Sequence, residues 1–347
     1  MQPIIRQLAE SKEPSIRFKV RVRVLGEGEN SPEVRQLRNC IKRSVRVQAL
    51  LGDRDQSGRV RPVGQVYRKW AGAHWVLATL ADLGYPPADQ DLMPILDQVL
   101  DCWIEPTSIQ EHIVRPGESP YGRRHGVPII NGRARRCASQ QGNALFSAVS
   151  LGLIDARCHQ LADLLLRWQW PDGGWNCDRQ PEASISSFWE SLIPLRALAA
   201  YAKATGRCQA LQATERAAEL FLSRHLYLRR RDGQPMNPQF LRLHYPTYWR
   251  YDVLFGLKVV AEAGFIGDPR CRNALDLLGS RQLPDGGWPA EERFYQNTNP
   301  NTSGYDLVSW GGVSRHTMNE WVTADALYVL RMAGRLDGQG AGKDTEL

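Results

Sequence analysis

Acidic and aromatic side chains occur together at three places in the second half of the chain: Phe188-Trp189-Glu190, Tyr248-Trp249 with Tyr251-Asp252, and Asn319-Glu320-Trp321 with Asp325 four residues further on. A carboxyl set among aromatic rings loses hydration, which raises its pKa and suits it to general-acid catalysis. Trp and Tyr faces then stabilise a cation formed by the proton transfer. Glu190, Asp252, Glu320 and Asp325 are therefore the candidate catalytic acids. Trp189, Tyr248, Trp249 and Trp321 are candidate substrate-binding residues, with Glu190 or Asp252 expected to protonate and Trp189, Tyr248 and Trp249 to hold the cation. A structural role competes in each case. Glu190, Asp252 and Glu320 fall in first helical turns, where acids complement the helix dipole. Asp325 lies in an apolar helix and needs a Lys or Arg partner if it is not functional.

The densest aromatic run is His244-Tyr245-Pro246-Thr247-Tyr248-Trp249. Tyr245 precedes proline and should be extended, which lays His244 and Tyr245 across an opening. His244 and Tyr245 join the candidate substrate-binding residues, as do Gln140 near the start of another helix and Arg135 and Arg136, which lead into Cys137 just before it. Cys177-Asp178 invites a metal reading with His244 or His316, but no strong ligand spacing accompanies them. No cofactor is therefore expected, zinc or magnesium being the alternatives. Serine-nucleophile and phosphate-loop motifs are missing from the sequence.

These residues need elements that gather them. One heptad pattern occurs twice, Gln169-Trp170-Pro171-Asp172-Gly173-Gly174-Trp175 and Gln282-Leu283-Pro284-Asp285-Gly286-Gly287-Trp288, with turn chemistry at its centre. Helical segments stop at six glycines: Gly26, Gly84, Gly152, Gly206, Gly264 and Gly334. Each stop closes a hairpin of helices. Outer members are expected near 2–10, 31–51, 90–103, 156–169, 209–226 and 269–282. Inner members are expected near 14–25, 67–83, 137–151, 187–205, 248–263 and 318–333. The alternating stretch Phe18 to Val24 could be a strand, but Pro14 and the Leu25-Gly26 stop favour helix. Arg157-Cys158, Arg207-Cys208 and Arg270-Cys271 recur at equivalent helix starts, which points to packing. The inner helices are apolar around their circumference and must be buried on both sides. The expectation is an all-α fold, a closed (α/α)6 toroid over residues 1–335 with a flexible tail at 336–347, and loops 104–136 and 283–317 on one face. An open superhelix is the alternative.

Forty-four basic against 37 acidic residues give a formal charge of +7, much of it in short arginine runs, and no nucleic-acid-binding signature accompanies it. Seven cysteines without a CxxC pair, and no leader segment, point to reduced thiols and a cytoplasmic setting. No apolar run approaches the roughly 20 residues of a membrane span, which leaves only peripheral membrane contact.

On the two Gln-to-Trp heptads and the six helical hairpins, the chain resembles the terpenoid-cyclase and protein-prenyltransferase toroid superfamily, including squalene–hopene cyclases with their Gln-Trp (QW) repeats. The resemblance implies an apolar, aromatic-lined central cavity for an isoprenoid or other hydrophobic small molecule. Arg135 and Arg136 at a helix start would suit an anionic head group such as a prenyl diphosphate, and solvent exposure explains the basic run equally well. The family's usual machinery is not matched. Asp89-Gln90-Asp91-Leu92 lacks the last Asp of the Asp-x-Asp-Asp acid, and Ala183 to Ser187 lack the Asp-x-Cys zinc ligands. Two other roles stay open: a non-catalytic lipid- or peptide-binding toroid, and a carbohydrate-active toroid using a carboxylate pair.

Overall fold

The computed structural model describes residues 2–122 and 125–336, so the expected tail beyond Leu336 lies outside the described residues. The first hairpin is α1 (Pro3–Ala9) and α2 (Pro14–Phe18), which runs on as a π-helical stretch, Lys19–Val24. The alternating segment is thus helical. An outer member follows in two pieces, α3 (Pro32–Lys42) and α4 (Val45–Leu51), with α5 (Ala73–Leu83) inside. The expected continuous outer helix breaks because Ser44 caps α4, its side chain accepting from the Val47 N–H. Next come α6 (Met93–Trp103), the single turn α7 (Pro106–Ile109), and strands β1 (Glu111–Ile113), β2 (Val127–Ile130) and β3 (Arg133–Ala134). β2 pairs parallel with β1 and antiparallel with β3, and α8 (Ala138–Ser150) is the inner helix that follows. The last three hairpins are α9 (Ala156–Trp168) with α10 (Phe188–Thr205), α11 (Cys208–Leu222) with α12 (Val253–Glu262), and α13 (Arg272–Gly279) with α14 (Glu320–Met332).

All six predicted stops adopt positive φ, between 65° and 88°. The recurrent arginines staple successive outer helices together. Arg157 reaches Asp97 at 2.6 Å, Arg207 reaches Asp163 at 2.6 Å and Arg270 reaches Glu219 at 2.7 Å. Cys158 and Cys271 pack inside as expected, whereas Cys208 is exposed. α5 and α12 begin later than the expected 67 and 248, α12 because Asp252 caps it from outside the helix.

The two heptads are clips. In the first, Gln169 Nε2 donates to Gly173 O and to Ala213 O of α11, both at 2.8 Å, and buried Trp175 donates its indole N–H to Leu165 O at 3.0 Å. Trp175 N–H then donates to Ser191 Oγ on α10 at 2.9 Å. The second clip repeats the pattern: Gln282 to Gly286 O at 2.9 Å, Trp288 Nε1 to Leu278 O at 2.8 Å, and Trp288 N–H to Thr323 Oγ1 on α14 at 2.9 Å. Each clip ties an outer helix, a turn and the next inner helix into one unit.

The ring closes. Gln2 Nε2 donates to Leu336 O at 2.6 Å, Ser11 Oγ to Glu320 Oε2 at 3.2 Å, and Arg331 of α14 to Val24 O. Lys19 on the π-helical stretch meets Asp82 of α5 on one side and Asp325 of α14 on the other. The fold is an (α/α)6 toroid, and no described helix is long and apolar enough to cross a membrane.

Candidate functional site on the loop face

The ring axis is occupied by charge. Lys19 Nζ lies 2.7 Å from Asp82 and 3.2 Å from Asp325, and Lys258 Nζ lies 2.9 Å and 2.8 Å from the same two carboxylates. Arg196 of α10 adds a 3.6 Å contact to Asp82 and a 2.5 Å bond to Glu262. Burial alone would raise both aspartate pKa values, but Lys19 and Lys258 outweigh it and hold the carboxyls below the usual range. The residual cavity above this plug, lined by Trp75, Asn143, Arg196, Tyr245, Tyr248 and Lys258, measures about 40 Å³. Ligand pockets run from about 300 Å³ upward. Among the described residues, the axis thus holds an ion network where the resemblance implies an apolar cavity.

Reactive side chains gather instead where α8 and α10 begin. Arg135 and Asn176 form a parallel bridge, and Arg136 N–H donates to Asn176 O at 3.2 Å, which lays Cys137 beside Cys177. Ser187 N–H donates to Trp175 O at 2.9 Å and brings in the first turn of α10 with Glu190. The sulfurs of Cys137 and Cys177 and a Glu190 carboxylate oxygen lie within 4.8 Å of one another, and Cys177 Sγ is 3.7 Å from Glu190 Oε1. Ser139 donates to Glu190 Oε2 from both its backbone N–H, at 3.1 Å, and its hydroxyl, at 2.8 Å. Burial raises the Glu190 pKa, and the Ser139 bonds only partly offset it. Tyr67 bonds Gln140 beside the cluster, its phenol pKa raised by burial and by the Glu190 charge. Arg136 supplies a nearby cation; burial lowers its pKa, while Cys137, Cys102 and Glu190 pull the other way. A carboxyl in these surroundings can give a proton to an entering ligand. Once ionised, together with the two thiols, it can hold a cation.

The two clips give a reference for these positions. Aligning Trp175 and Ser191 with Trp288 and Thr323 makes Cys177 the counterpart of Ala290, and Glu190 the counterpart of Val322. Ala290 and Val322 are 3% and 1% exposed. The second clip thus fills these places with buried apolar side chains.

On the rim, Trp189 and Trp249 meet edge to face with centroids 6.1 Å apart, both half-buried, and Lys69 Nζ lies 5.1 Å from the Trp249 ring. An open groove of about 580 Å³ runs past Gln65, Tyr67, Lys69, Cys102, Asn301 and Thr302.

The remaining predicted residues are placed elsewhere. Asp252 caps α12, accepting from Phe255 N–H at 2.7 Å, and binds His244 at both the backbone N–H (2.9 Å) and Nδ1 (2.8 Å). Asp325 is held by Lys19 and Lys258, and Glu320 belongs to the ring closure. Tyr245 donates to Asp82 at 2.8 Å and stacks on buried Trp321. Tyr248 stacks on Trp70 and donates to Asp306, a buried acid not singled out from sequence, whose pKa burial raises. Arg135 is buried against the Trp170 ring and donates to Ala183 O at 2.9 Å, so it is not open to a diphosphate. His316 is exposed and His244 is paired with Asp252, so the thiol partner of Cys177 is Cys137 and not a histidine. Tyr67 and Ser139 carried no signal in the sequence. Cys177 and Glu190 did, the one following the first heptad and the other within Phe188-Trp189-Glu190.

No protein-family profile and no curated protein sequence matches the chain. Similar solved structures include a polysaccharide lyase, 11% identical, covering 93% of this chain and 89% of that one with a TM-score of 0.49. The unsaturated glucuronyl hydrolase of Bacillus sp. GL1 is 13% identical, with 93% and 85% covered and a TM-score of 0.43. The type II terpene cyclase MstE from Scytonema is 16% identical, with 84% and 96% covered and a TM-score of 0.30. What makes this chain a ring is its own helix pairing and the contacts of the first hairpin with the last.

Proposed function

We propose that this chain is an α/α-toroid enzyme that receives a hydrophobic, isoprenoid-type ligand on its loop face and presents the ligand's reactive end to Cys137, Cys177 and Glu190. The observation that carries this reading is the half-buried Trp189–Trp249 pair, which adjoins Glu190 through the first turn of α10. Aromatic faces left half-exposed at a rim offer apolar contact area at low entropic cost. The ligand lies at the mouth and not on the axis, because the axial space is far too small. The carbohydrate alternative calls for a carboxylate pair across a solvated groove. Among the described residues, the two aspartates that converge on the axis, Asp82 and Asp325, are neutralised by Lys19 and Lys258.

Tryptophan fluorescence titration tests the reading with geranylgeraniol and, in parallel, a neutral glucose oligosaccharide. Saturable quenching by the isoprenoid, weakened at least tenfold in Trp249→Ala, is the expected result. Binding of the oligosaccharide alone, with the same loss in Trp249→Ala, would transfer the site to carbohydrate chemistry.

A further inference from the structure

We infer that Cys137, Cys177 and Glu190 form a site for one zinc ion. The inference does not depend on which organic ligand the loop face takes. In a tetrahedral site with Zn–S near 2.3 Å and Zn–O near 2.1 Å, ligand atoms stand about 3.6–3.8 Å apart. Cys177 Sγ and Glu190 Oε1 are already 3.7 Å apart, and the third ligand atom lies within 4.8 Å of both. Small side-chain rotations complete the geometry. The ligands come from three fixed points: the residue capping α8, the loop held by the Trp175 clip, and the first turn of α10.

The surroundings are organised as metal sites require. Ser139 takes both of its hydrogen bonds to Glu190 Oε2, which leaves Oε1 on the side of the sulfurs. Such outer contacts fix the orientation of a metal-binding carboxylate. Two thiolates and a carboxylate carry three negative charges, which Zn²⁺ and the neighbouring Arg136 guanidinium balance. On uptake the two thiol protons and any carboxyl proton pass to solvent, with no change of oxidation state. Thiolate ligands favour zinc over magnesium or calcium. Three protein ligands leave a fourth position for water or a ligand group, the arrangement of catalytic zinc sites. The second clip supplies an internal control, since Ala290 and Val322 at the matching places provide no ligand.

The test uses full-length protein, reduced and stripped with a chelator, then titrated with Co²⁺ and back-titrated with Zn²⁺. One equivalent of Co²⁺ should give a near-ultraviolet thiolate-to-cobalt band that Zn²⁺ abolishes. Cys137→Ser and Cys177→Ser should each lose most of the band, and Glu190→Gln should keep it with at least tenfold weaker Co²⁺ binding. Cys208→Ser, at an exposed thiol, should behave as wild type. Because a single thiol variant could misfold, the paired variant Cys177→Ala/Glu190→Val, which borrows the second clip's residues, is followed by circular dichroism and should fold without the band. The inference fails if wild type gives no band or if the band survives in the folded paired variant.

Discussion

Cys177 Sγ lies 3.7 Å from Glu190 Oε1, at two positions whose counterparts in the next clip and helix are the apolar Ala290 and Val322. The same backbone frame thus holds a polar pair once and an apolar pair once. Fold and chemistry are separable here. The Cys177→Ala/Glu190→Val variant should stay within about 2 kcal/mol of wild type, since it gives up the Ser139 bonds but also removes a desolvated carboxyl. Urea denaturation midpoints check this, and a loss of several kcal/mol would mean the pair is needed for folding.

Ser191 and Thr323 should matter through two hydrogen bonds each, since each hydroxyl also donates to the carbonyl of the same tryptophan, Trp175 O or Trp288 O, at 3.2 Å. Their hydroxyls accept the backbone N–H of Trp175 and Trp288 at 2.9 Å in buried surroundings. Leaving such a donor unsatisfied costs about 1–3 kcal/mol. Ser191→Ala and Thr323→Ala should each lower stability by that amount in chemical denaturation. Since the two hydroxyls belong to separate clips, the double variant should show nearly additive loss.

Asp325 gives a larger expected effect. Removing it leaves Lys19 and Lys258 sharing Asp82, with both lysines buried. Breaking a buried ion pair typically costs about 3–5 kcal/mol. Asp325→Ala should therefore lose stability in that range, and a variant as stable as wild type would show that the axial charges are not coupled.

His74 sets a pH dependence. The residue is 2% exposed, Nδ1 accepts from Trp103 Nε1 at 3.0 Å, and burial depresses its pKa from 6.5 to about 3. The unfolded chain takes up this proton below 6.5 and the folded chain only near 3. Its contribution is complete above the unfolded pKa and is lost as pH falls from 6.5 towards 3, at up to about 1.4 kcal/mol per pH unit. His74→Gln keeps an acceptor without the titration, so its stability should fall less steeply between pH 6.5 and 4.5. Parallel curves for the two proteins would rule out a buried neutral imidazole.

The architecture was legible because it repeats. Glycine caps, turn heptads and arginines at helix starts act over a few residues, so each leaves its mark in local sequence, and all six caps take up the left-handed conformation. Where local signals competed, boundaries moved: Ser44 split an outer helix, and Asp252 became a cap and the partner of His244. Asp325 was recognisable as an acid in need of cations. Which cations, Lys19 and Lys258, depended on closing the ring between its first and last units.

Glu190 and Cys177 could be marked from sequence as unusual, but their meeting with Cys137 could not. That contact depends on a parallel bridge between Arg135 and Asn176 and on the hydrogen bonds that draw α10 against the clip. The filled axis was equally hidden, since it arises where charges from separate inner helices converge. Sequence by itself determined the hairpins, because capping and turn preferences act over a few bonds. Tertiary structure alone decided which side chains share a low-dielectric space, because that depends on where remote segments come to rest.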